Sequence, residues 1–188
     1  MQQPSDLETV RESYDRVADA YVELGMGRLE AEPWLRAVLA AFAESVCGLG
    51  PVLDVGCGPG TVTAHLTELG IEASGVDLSP RMVEHARRQY PDLRFSVASA
   101  TELDLAPASL GGVLGWWSLF NLPREALPGV LLAFAEALVP AARRWSARTS
   151  ATATSGGPRG TAACRCRGRP TSTVPKRWPG CCSTPVSR

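Results

Sequence analysis

Two short segments of the sequence combine glycines with a carboxylate. The first, LDVGCGPG at residues 53–60, contains Gly56, Gly58 and Gly60. Glycines between a strand end and a helix start permit turns that a Cβ would block, and they let backbone approach a ligand closely. The second, GVDLSP, contains Asp77, at about the twenty-residue offset where a carboxylate can accept both hydroxyls of a ribose. Together the segments predict a nucleotide-type ligand, and the spacing admits NAD.

The elements that must position these residues alternate along the chain. Apolar residues at helical spacing predict two helices before the glycines, and short β-branched runs bounded by glycine predict strands. The predicted helices cover residues 6–24, 31–49, 61–70, 81–90 and 124–140, and the predicted strands cover 51–56, 71–79, 93–99 and 110–120. Strands that alternate with helices imply a parallel sheet with helices on both faces.

The order of these motifs resembles a known family. LDVGCGPG followed by GVDLSP is similar to motifs one and two of the class I S-adenosylmethionine-dependent methyltransferases of small-molecule type. Asp54, two positions before the first glycine, fits that family's pattern, and the glycines are spaced GxGxG instead of the GxGxxG of dinucleotide sites. The resemblance extends from about Tyr14 to Pro140. It implies an α/β fold with a Rossmann-like, incomplete doubly wound parallel sheet of about four strands.

The resemblance also implies which residues bind the cofactor, S-adenosylmethionine. The glycine loop and Asp54 would surround the methionine part, Asp77 would hold the ribose hydroxyls, and two apolar side chains of the next segment would pack on the adenine. Ser99 and Ala100 lie where the family often has Asp followed by an apolar residue, which weakens the expected contact to the adenine amino group. These expected cofactor residues are Asp54, Gly56, Cys57, Gly58, Gly60, Asp77, Leu78, Met82, Ser99 and Ala100.

Aromatic residues form the second group of expected site residues. WWSLFNLP resembles the family's fourth motif, so Trp116 or Trp117 could face the sulfonium, a cation that aromatic faces attract; one core and one surface residue is the alternative. Tyr14 and Tyr21 belong to a segment that closes over the cofactor in relatives, although a helix face buried on the sheet explains them equally well. Asn121 stands where relatives often have His.

The expected chemistry needs few protein groups. The methyl carbon of the cofactor is already activated by the positive sulfur, so transfer depends mainly on holding nucleophile and methyl in line. No metal is expected, and no catalytic residue can be named. Cys57 belongs to the glycine loop with no His or Asn partner in view, and it is interpreted as a small loop residue, not as a nucleophile.

The last 48 residues differ sharply from the rest. Residues 1–140 carry 19 acidic and 9 basic residues, a net charge of −10, whereas residues 141–188 carry 10 basic and no acidic residues and lack Leu, Ile, Phe and Met. We therefore divide the chain into N-terminal helices at 1–48 on the substrate side, a cofactor-binding core at 49–140, and a basic, low-complexity tail at 141–188 that we expect to be disordered.

Three hypotheses account for this tail. A basic arm could bind nucleic acid through phosphates, with Trp145 and Trp178 available to stack. Four cysteines (Cys164, Cys166, Cys181 and Cys182) could form a metal module, but their spacings do not match common zinc sites. We favour the third, a frame shift after about residue 140, because GC-rich codons read out of phase give this composition, and because the family continues here with a glycine turn and a fifth strand.

Function and location follow from these observations as expectations. The leading hypothesis is methyl transfer from S-adenosylmethionine to a small-molecule acceptor, with the activity of the truncated chain left open. An NAD-dependent oxidoreductase fragment and nucleic-acid binding through the tail are the alternatives. The N-terminus lacks the basic stretch and apolar core of a secretory signal, and there is no apolar run of membrane-spanning length, so we expect a cytoplasmic protein without a membrane partner. The oligomeric state is not predicted.

Overall fold

The computed structural model describes residues 7–25 and 29–142. Within them the chain forms five helices, four strands and two short 3₁₀ turns. The helices are α1 (Leu7–Glu23), α2 (Pro33–Val46), α3 (Thr61–Glu68), α4 (Pro80–Gln89) and α5 (Leu127–Ala137), and the strands are β1 (Val52–Val55), β2 (Ala73–Asp77), β3 (Arg94–Val97) and β4 (Gly112–Leu114). The 3₁₀ turns are Leu29–Ala31 and Leu119–Asn121. The prediction of a disordered tail falls on residues that, from 143 onward, lie outside the described ranges.

The four strands form one parallel sheet in the order β3-β2-β1-β4. Asp54 in β1 pairs with Gly75 in β2 and with Leu114 in β4, and Asp77 pairs with Val97 in β3. The chain first moves outward from β1 to β3 and then returns to the other side of β1 with β4. In such sheets ligands bind at the carboxyl ends of the strands, beside the point where the direction reverses. The predicted fold class is confirmed.

Side chains of β1 alternate between two apolar clusters. Val52 packs with α2 and α3 through Leu39 and Leu66, whereas Leu53 and Val55 pack with α5 through Phe134. A strand buried on both sides is the expected consequence of helices on both faces of a parallel sheet. The run VLDV is apolar on both faces except for Asp54. The burial of this carboxylate in an apolar strand therefore needs a functional or structural explanation.

The predicted fourth strand is longer than the observed one. β4 ends at Leu114, and the aromatic segment that follows leaves the sheet. A Cβ on Gly115 would lie 2.8 Å from the Leu119 side chain, so the chain folds back tightly here, and Trp117 has a φ of 51°. Such a backbone conformation does not continue a strand. The last helix likewise begins at Leu127, three residues later than the predicted start at Arg124.

Helix α1 is fixed against the start of α4 by an acidic side chain. Asp15 Oδ1 accepts hydrogen bonds from Ser79 Oγ at 2.5 Å and from the Arg81 backbone N–H at 3.2 Å. Ser79 is also the N-cap of α4, where its Oγ accepts from the Met82 N–H at 3.1 Å. The α1 helix thereby lies across the carboxyl edge of the sheet. No helix in the described part of the chain is both long and apolar enough to cross a bilayer.

Candidate functional site

A cavity of about 640 Å³ lies at the carboxyl edge of the sheet, under α1. Its wall is built from the segments that follow all four strands, from α1, and from the residues before α2. It brings together eight residues predicted from the sequence, which are Tyr14, Tyr21, Gly56, Asp77, Leu78, Ser99, Ala100 and Trp116. Trp117 and Asn121 also contribute to the wall.

Five predicted residues do not line this cavity. The side chain of Cys57 packs with Phe95 in a small apolar cluster beside α4, which agrees with its interpretation as a loop residue. Met82 is 2% exposed and faces the interior from the first turn of α4. Of the remaining three, Asp54 is buried in β1, and Gly58 and Gly60 belong to the same loop as Gly56.

Each of the three loop positions 56, 58 and 60 favours glycine for a different physical reason. Gly56 has a φ of 74°, and a Cβ there would lie 2.2 Å from the Ser118 Cβ. Gly60 has a φ of 84° at the start of α3, and its Cβ would meet the Phe95 ring at 2.7 Å. Gly58 has a φ of 53° and open space around it. Only the first of these glycines lines the cavity, so the other two shape the loop and its packing.

The Asp77 carboxylate joins the glycine loop to the end of β2. Its Oδ2 accepts a hydrogen bond from the Gly58 N–H at 2.8 Å, and its Oδ1 accepts from the Ser79 N–H at 2.9 Å. Burial raises the pKa of Asp77, and the two backbone hydrogen bonds oppose that rise. The carboxylate is half-buried in the cavity wall, so it is held in place by backbone and still faces the space where a ligand would lie.

The Asp54 carboxylate is nearly inaccessible to solvent. The residue is 1% exposed, and its Oδ2 accepts a hydrogen bond from Thr63 Oγ1 in α3 at 2.7 Å. Burial raises its pKa to about 7; the Thr63 hydrogen bond lowers it, and the nearby Asp77 charge adds to the rise. Asp54 therefore links β1 to the first turn of α3 beneath the glycine loop.

Two hydrogen bonds around the cavity were not predicted from the sequence. Ser118 Oγ donates to the Val55 carbonyl at 2.6 Å, fixing the segment after β4 against the end of β1. Asn121 Nδ2 donates to the Tyr14 hydroxyl at 3.2 Å and so connects that segment with α1. Ser118 carries no sequence signal, whereas the role of α1 could have been inferred from Asp15 and Asp19, which share one helix face at an i, i+4 spacing.

Aromatic side chains surround the mouth of the cavity on the β4 side. The rings of Trp34 and Trp116 are 5.5 Å apart and tilted by 50°, and those of Trp117 and Phe120 are 5.9 Å apart and nearly perpendicular. Trp117 is 71% exposed, Phe120 56% and Trp34 53%. Within the described residues no group of three His, Cys, Asp or Glu side chains could hold a metal ion, and the tail cysteines lie outside those ranges.

Comparisons with known proteins agree with this geometry. Residues 52–141 match a family model described as a methyltransferase domain. The chain is 35% identical over 119 residues to a demethylmenaquinone methyltransferase from Beutenbergia cavernae, an alignment that covers 62% of this chain and 45% of that one. Over residues 52–141 the chain is similar to the class I S-adenosylmethionine-dependent methyltransferases, a family whose cofactor is S-adenosylmethionine.

Solved structures show the same relationship. The PH0226 protein from Pyrococcus horikoshii superimposes with a TM-score of 0.59 at 25% identity, covering 69% of this chain and 62% of that one. An S-adenosylmethionine-dependent methyltransferase from Archaeoglobus fulgidus superimposes with a TM-score of 0.50 at 26% identity, covering 56% and 47%. The NAD alternative receives no support from these matches. The chain spans about half the length of the curated relatives it matches.

Proposed function

We propose that this chain binds S-adenosylmethionine in the cavity at the carboxyl edge of the sheet and directs its methyl group to a small-molecule acceptor. The observation that carries the proposal is the Asp77 carboxylate, held in the cavity wall by the Gly58 and Ser79 backbone and accompanied in that wall by Gly56. A fixed carboxylate beside a glycine that cannot accept a Cβ suits a ligand that carries both a ribose and a compact polar group.

The sheet order supports a specific orientation of the cofactor. The segments after β1, β2 and β3 are adjacent, so Gly56, Asp77 and Ser99 follow one another along the wall. We assign the methionine part to Gly56, the ribose to Asp77, and the adenine to the side of Leu78, Ser99 and Ala100. The Ser99 hydroxyl is hydrogen-bonded to Thr101 Oγ1 at 2.7 Å, and it would have to be shared with the adenine.

The remaining predicted residues are assigned roles other than direct contact with the ribose or adenine of the cofactor. Asp54 is bound to Thr63 and does not line the wall, so we assign it the task of holding α3 under the loop. Tyr14 and Tyr21 belong to α1, which covers the site, and Trp116 belongs to the β4 side. We accordingly assign the cover and substrate side to the described part of residues 1–48 and the cofactor-binding core to residues 49–140.

The chemistry requires orientation more than acid or base catalysis. S-adenosylmethionine supplies a methyl group already activated by a positive sulfur. The described residues orient the ligands through the loop, the strand ends and α1. Burial raises the pKa of Tyr21, with the Tyr14 and Asp77 charges adding to that rise, so its hydroxyl stays protonated at neutral pH.

The test of this proposal is an Asp77→Asn variant. Asn keeps one oxygen that can accept a backbone hydrogen bond, but it removes the charge and one acceptor for the ribose hydroxyls. Hydrogen bonds to charged groups are worth about 1.5–3 kcal/mol, so we expect roughly tenfold or greater loss of affinity for S-adenosylhomocysteine by isothermal titration calorimetry. Asp104→Asn, an exposed carboxylate away from the cavity, is the matched control. Unchanged affinity in a folded Asp77→Asn protein contradicts the assignment.

A further inference from the structure

The two ends of the cavity wall lie on opposite sides of the sheet. Ser99 and Ala100 follow β3 at one side, whereas Trp116 and Phe120 follow β4 at the other. Adjacent strands are about 4.8 Å apart, so three strand spacings separate the two ends by roughly 14 Å. With the cofactor assigned to the β1, β2 and β3 ends, the β4 end of the cavity is the place for the methyl acceptor.

This acceptor end is predominantly aromatic. Trp34 and Trp116 meet across the gap between the start of α2 and the segment after β4, and Trp117 and Phe120 make an edge-to-face pair at the mouth. Aromatic side chains offer large, rigid apolar surfaces, and they pair favourably with other rings in tilted or edge-to-face arrangements. Such a wall favours a flat, apolar part of the acceptor.

The charges of the described wall are all negative. Glu32 and Asp77 are its charged residues, and none of the wall residues in the described ranges is Lys, Arg or His. Glu32 stands at the acceptor end, where its Oε2 accepts a hydrogen bond from Trp34 Nε1. A carboxylate or phosphate on the acceptor would enter a largely apolar space beside like charge, where no wall residue of the described ranges supplies a counterion, and this is unfavourable.

The backbone of Trp117 adds a further sign that this end is built for a ligand. Its φ of 51° is unusual for a bulky residue, and its side chain is nonetheless 71% exposed. Strained backbone of this kind persists where surrounding structure enforces it, and it is concentrated at functional sites. Here it turns the Trp117 ring against Phe120 at the cavity mouth instead of into the core.

We propose that the acceptor is a planar, apolar ring compound without a negative charge, held on the aromatic wall formed by Trp34, Trp116, Trp117 and Phe120, and that acidic acceptors are rejected. The proposal rests on the function proposed above and narrows it to a substrate class. Glu32 is assigned the role of a specificity-determining residue that disfavours anions.

Three naphthalene compounds that differ in charge provide the test. 2-Naphthol is neutral, 2-naphthylmethylamine is cationic and 2-naphthoate is anionic at about pH 7. We expect isothermal titration calorimetry on the full chain saturated with S-adenosylhomocysteine to show naphthol and the amine binding at least tenfold more tightly than naphthoate. Equal or tighter binding of naphthoate, or no binding of any of the three, overturns the proposal.

Variants separate the two parts of the proposal. Trp117→Ala should weaken naphthol binding about fivefold or more, whereas Leu131→Ala, an exposed apolar residue of α5 away from the cavity, should leave it within twofold. Glu32→Gln retains an oxygen for Trp34 Nε1 and should reduce the discrimination against naphthoate by severalfold. An unchanged ratio of naphthol to naphthoate affinities in Glu32→Gln overturns the role of Glu32.

The same titrations distinguish this inference from the proposed function. S-adenosylhomocysteine binding is measured first, and the three probes are then titrated with and without it. Binding of S-adenosylhomocysteine without discrimination among the probes overturns the inference and leaves the cofactor assignment standing. Discrimination among the probes without S-adenosylhomocysteine binding supports the charge selectivity of the cavity and overturns the cofactor assignment.

Discussion

Gly56 and Gly58 share a left-handed backbone but differ in the space around them. Both would be strained by a Cβ, which costs about 1–2 kcal/mol at positive φ. Only at Gly56 would the new atom also overlap a neighbour, the Ser118 Cβ at 2.2 Å. We expect Gly56→Ala to lower the free energy of unfolding by about 3 kcal/mol and Gly58→Ala by about 1 kcal/mol, measured by urea denaturation.

A second substitution checks the cause of that difference. Ser118→Gly in the Gly56→Ala background removes the overlapping Cβ, so part of the lost stability should return although the φ strain remains. If the two glycine variants are equally unstable, or if Ser118→Gly gives no recovery in that background, overlap with Ser118 is not what requires glycine at position 56.

The pKa of Asp54 predicts a particular dependence of stability on pH. Burial raises this pKa from 3.8 to about 7, so the folded protein retains a proton that the unfolded chain releases. The contribution of Asp54 to stability is therefore complete below about pH 4 and falls as the pH rises to about 7, by roughly 4 kcal/mol. Asp54→Asn abolishes this titration and keeps an oxygen for Thr63, so its stability relative to wild type should increase over that interval.

The measurement is the difference in unfolding free energy between Asp54→Asn and wild type, taken by urea denaturation at several pH values from about 4 to about 8 without cofactor. Asp104→Asn provides the control, because an exposed carboxylate should give a difference that hardly changes with pH. A difference for Asp54→Asn that is flat across the interval contradicts the assignment of the raised pKa to this buried group.

The sequence patterns predicted which residues belong to the site, but they did not predict the contacts that these residues make. Gly56 and Asp77 were predicted because glycine and acid spacing reflects backbone geometry, and both lie in the cavity wall. The partners of Asp54 and Gly56 were not predicted, because Thr63 and Ser118 reach them through tertiary packing. The role of each predicted residue at the cofactor stays a prediction until binding is measured.

At the level of elements, the attachment of α1 to α4 controls the cover of the cavity. Asp15 accepts from Ser79, the N-cap of α4, and from Arg81 of α4. On its own helix it is bridged by Arg11, whose Nη1 lies 2.6 Å from Oδ2. Asp19 binds Arg81 and His85 in parallel, at 2.9 Å and 2.7 Å. The Asp19 contacts are largely solvent-exposed and contribute less. We therefore expect Asp15 to be the principal attachment.

Asp15→Ala should loosen α1 without unfolding the sheet. Loss of hydrogen bonds to a charged group costs about 1.5–3 kcal/mol, so we expect amide hydrogen exchange across residues 7–23 to accelerate about tenfold or more while β1 and β2 stay protected. Affinity for S-adenosylhomocysteine should fall as well, since Tyr14 and Tyr21 lie on the same helix. Glu12→Ala, an exposed acid of α1, is the control. Unchanged exchange in Asp15→Ala contradicts this role.

The elements themselves were predictable where local sequence decides them. Pro80 after Ser79 marks the start of α4, and β-branched runs mark β1 and β2. The end of β4 was predicted wrongly because Trp116, Trp117 and Phe120 favour strands by propensity, while tight packing of Gly115 against Leu119 turns the chain out of the sheet. Tertiary contacts of this kind override propensity.

At the scale of the whole molecule, β4 is an edge strand of the described sheet, and the described residues end close to it, at residue 142. In residues 7–25 and 29–142, β4 pairs with β1 only. Just before β4, the Leu110 N–H donates to the Ala137 carbonyl and the Val139 N–H donates to the Leu110 carbonyl, both at 2.9 Å. The chain after α5 therefore returns beside Leu110, just before β4, next to an apolar groove lined by Phe42, Val46, Leu49, Val113 and Leu138.

A strand rich in Val, Ile or Leu is what this position requires, because an unpaired apolar edge invites association with other chains. The sequence after 142 instead supplies ten basic residues and no Leu, Ile or Phe. We expect the gene, resequenced from the codon for Leu127 to beyond that for Arg188, to encode in an offset frame after Pro140 a strand followed by an amphipathic helix. Stop codons in that frame, or the lack of a periodic apolar pattern, would contradict the frame-shift hypothesis. The basic tail would then be a genuine part of the protein.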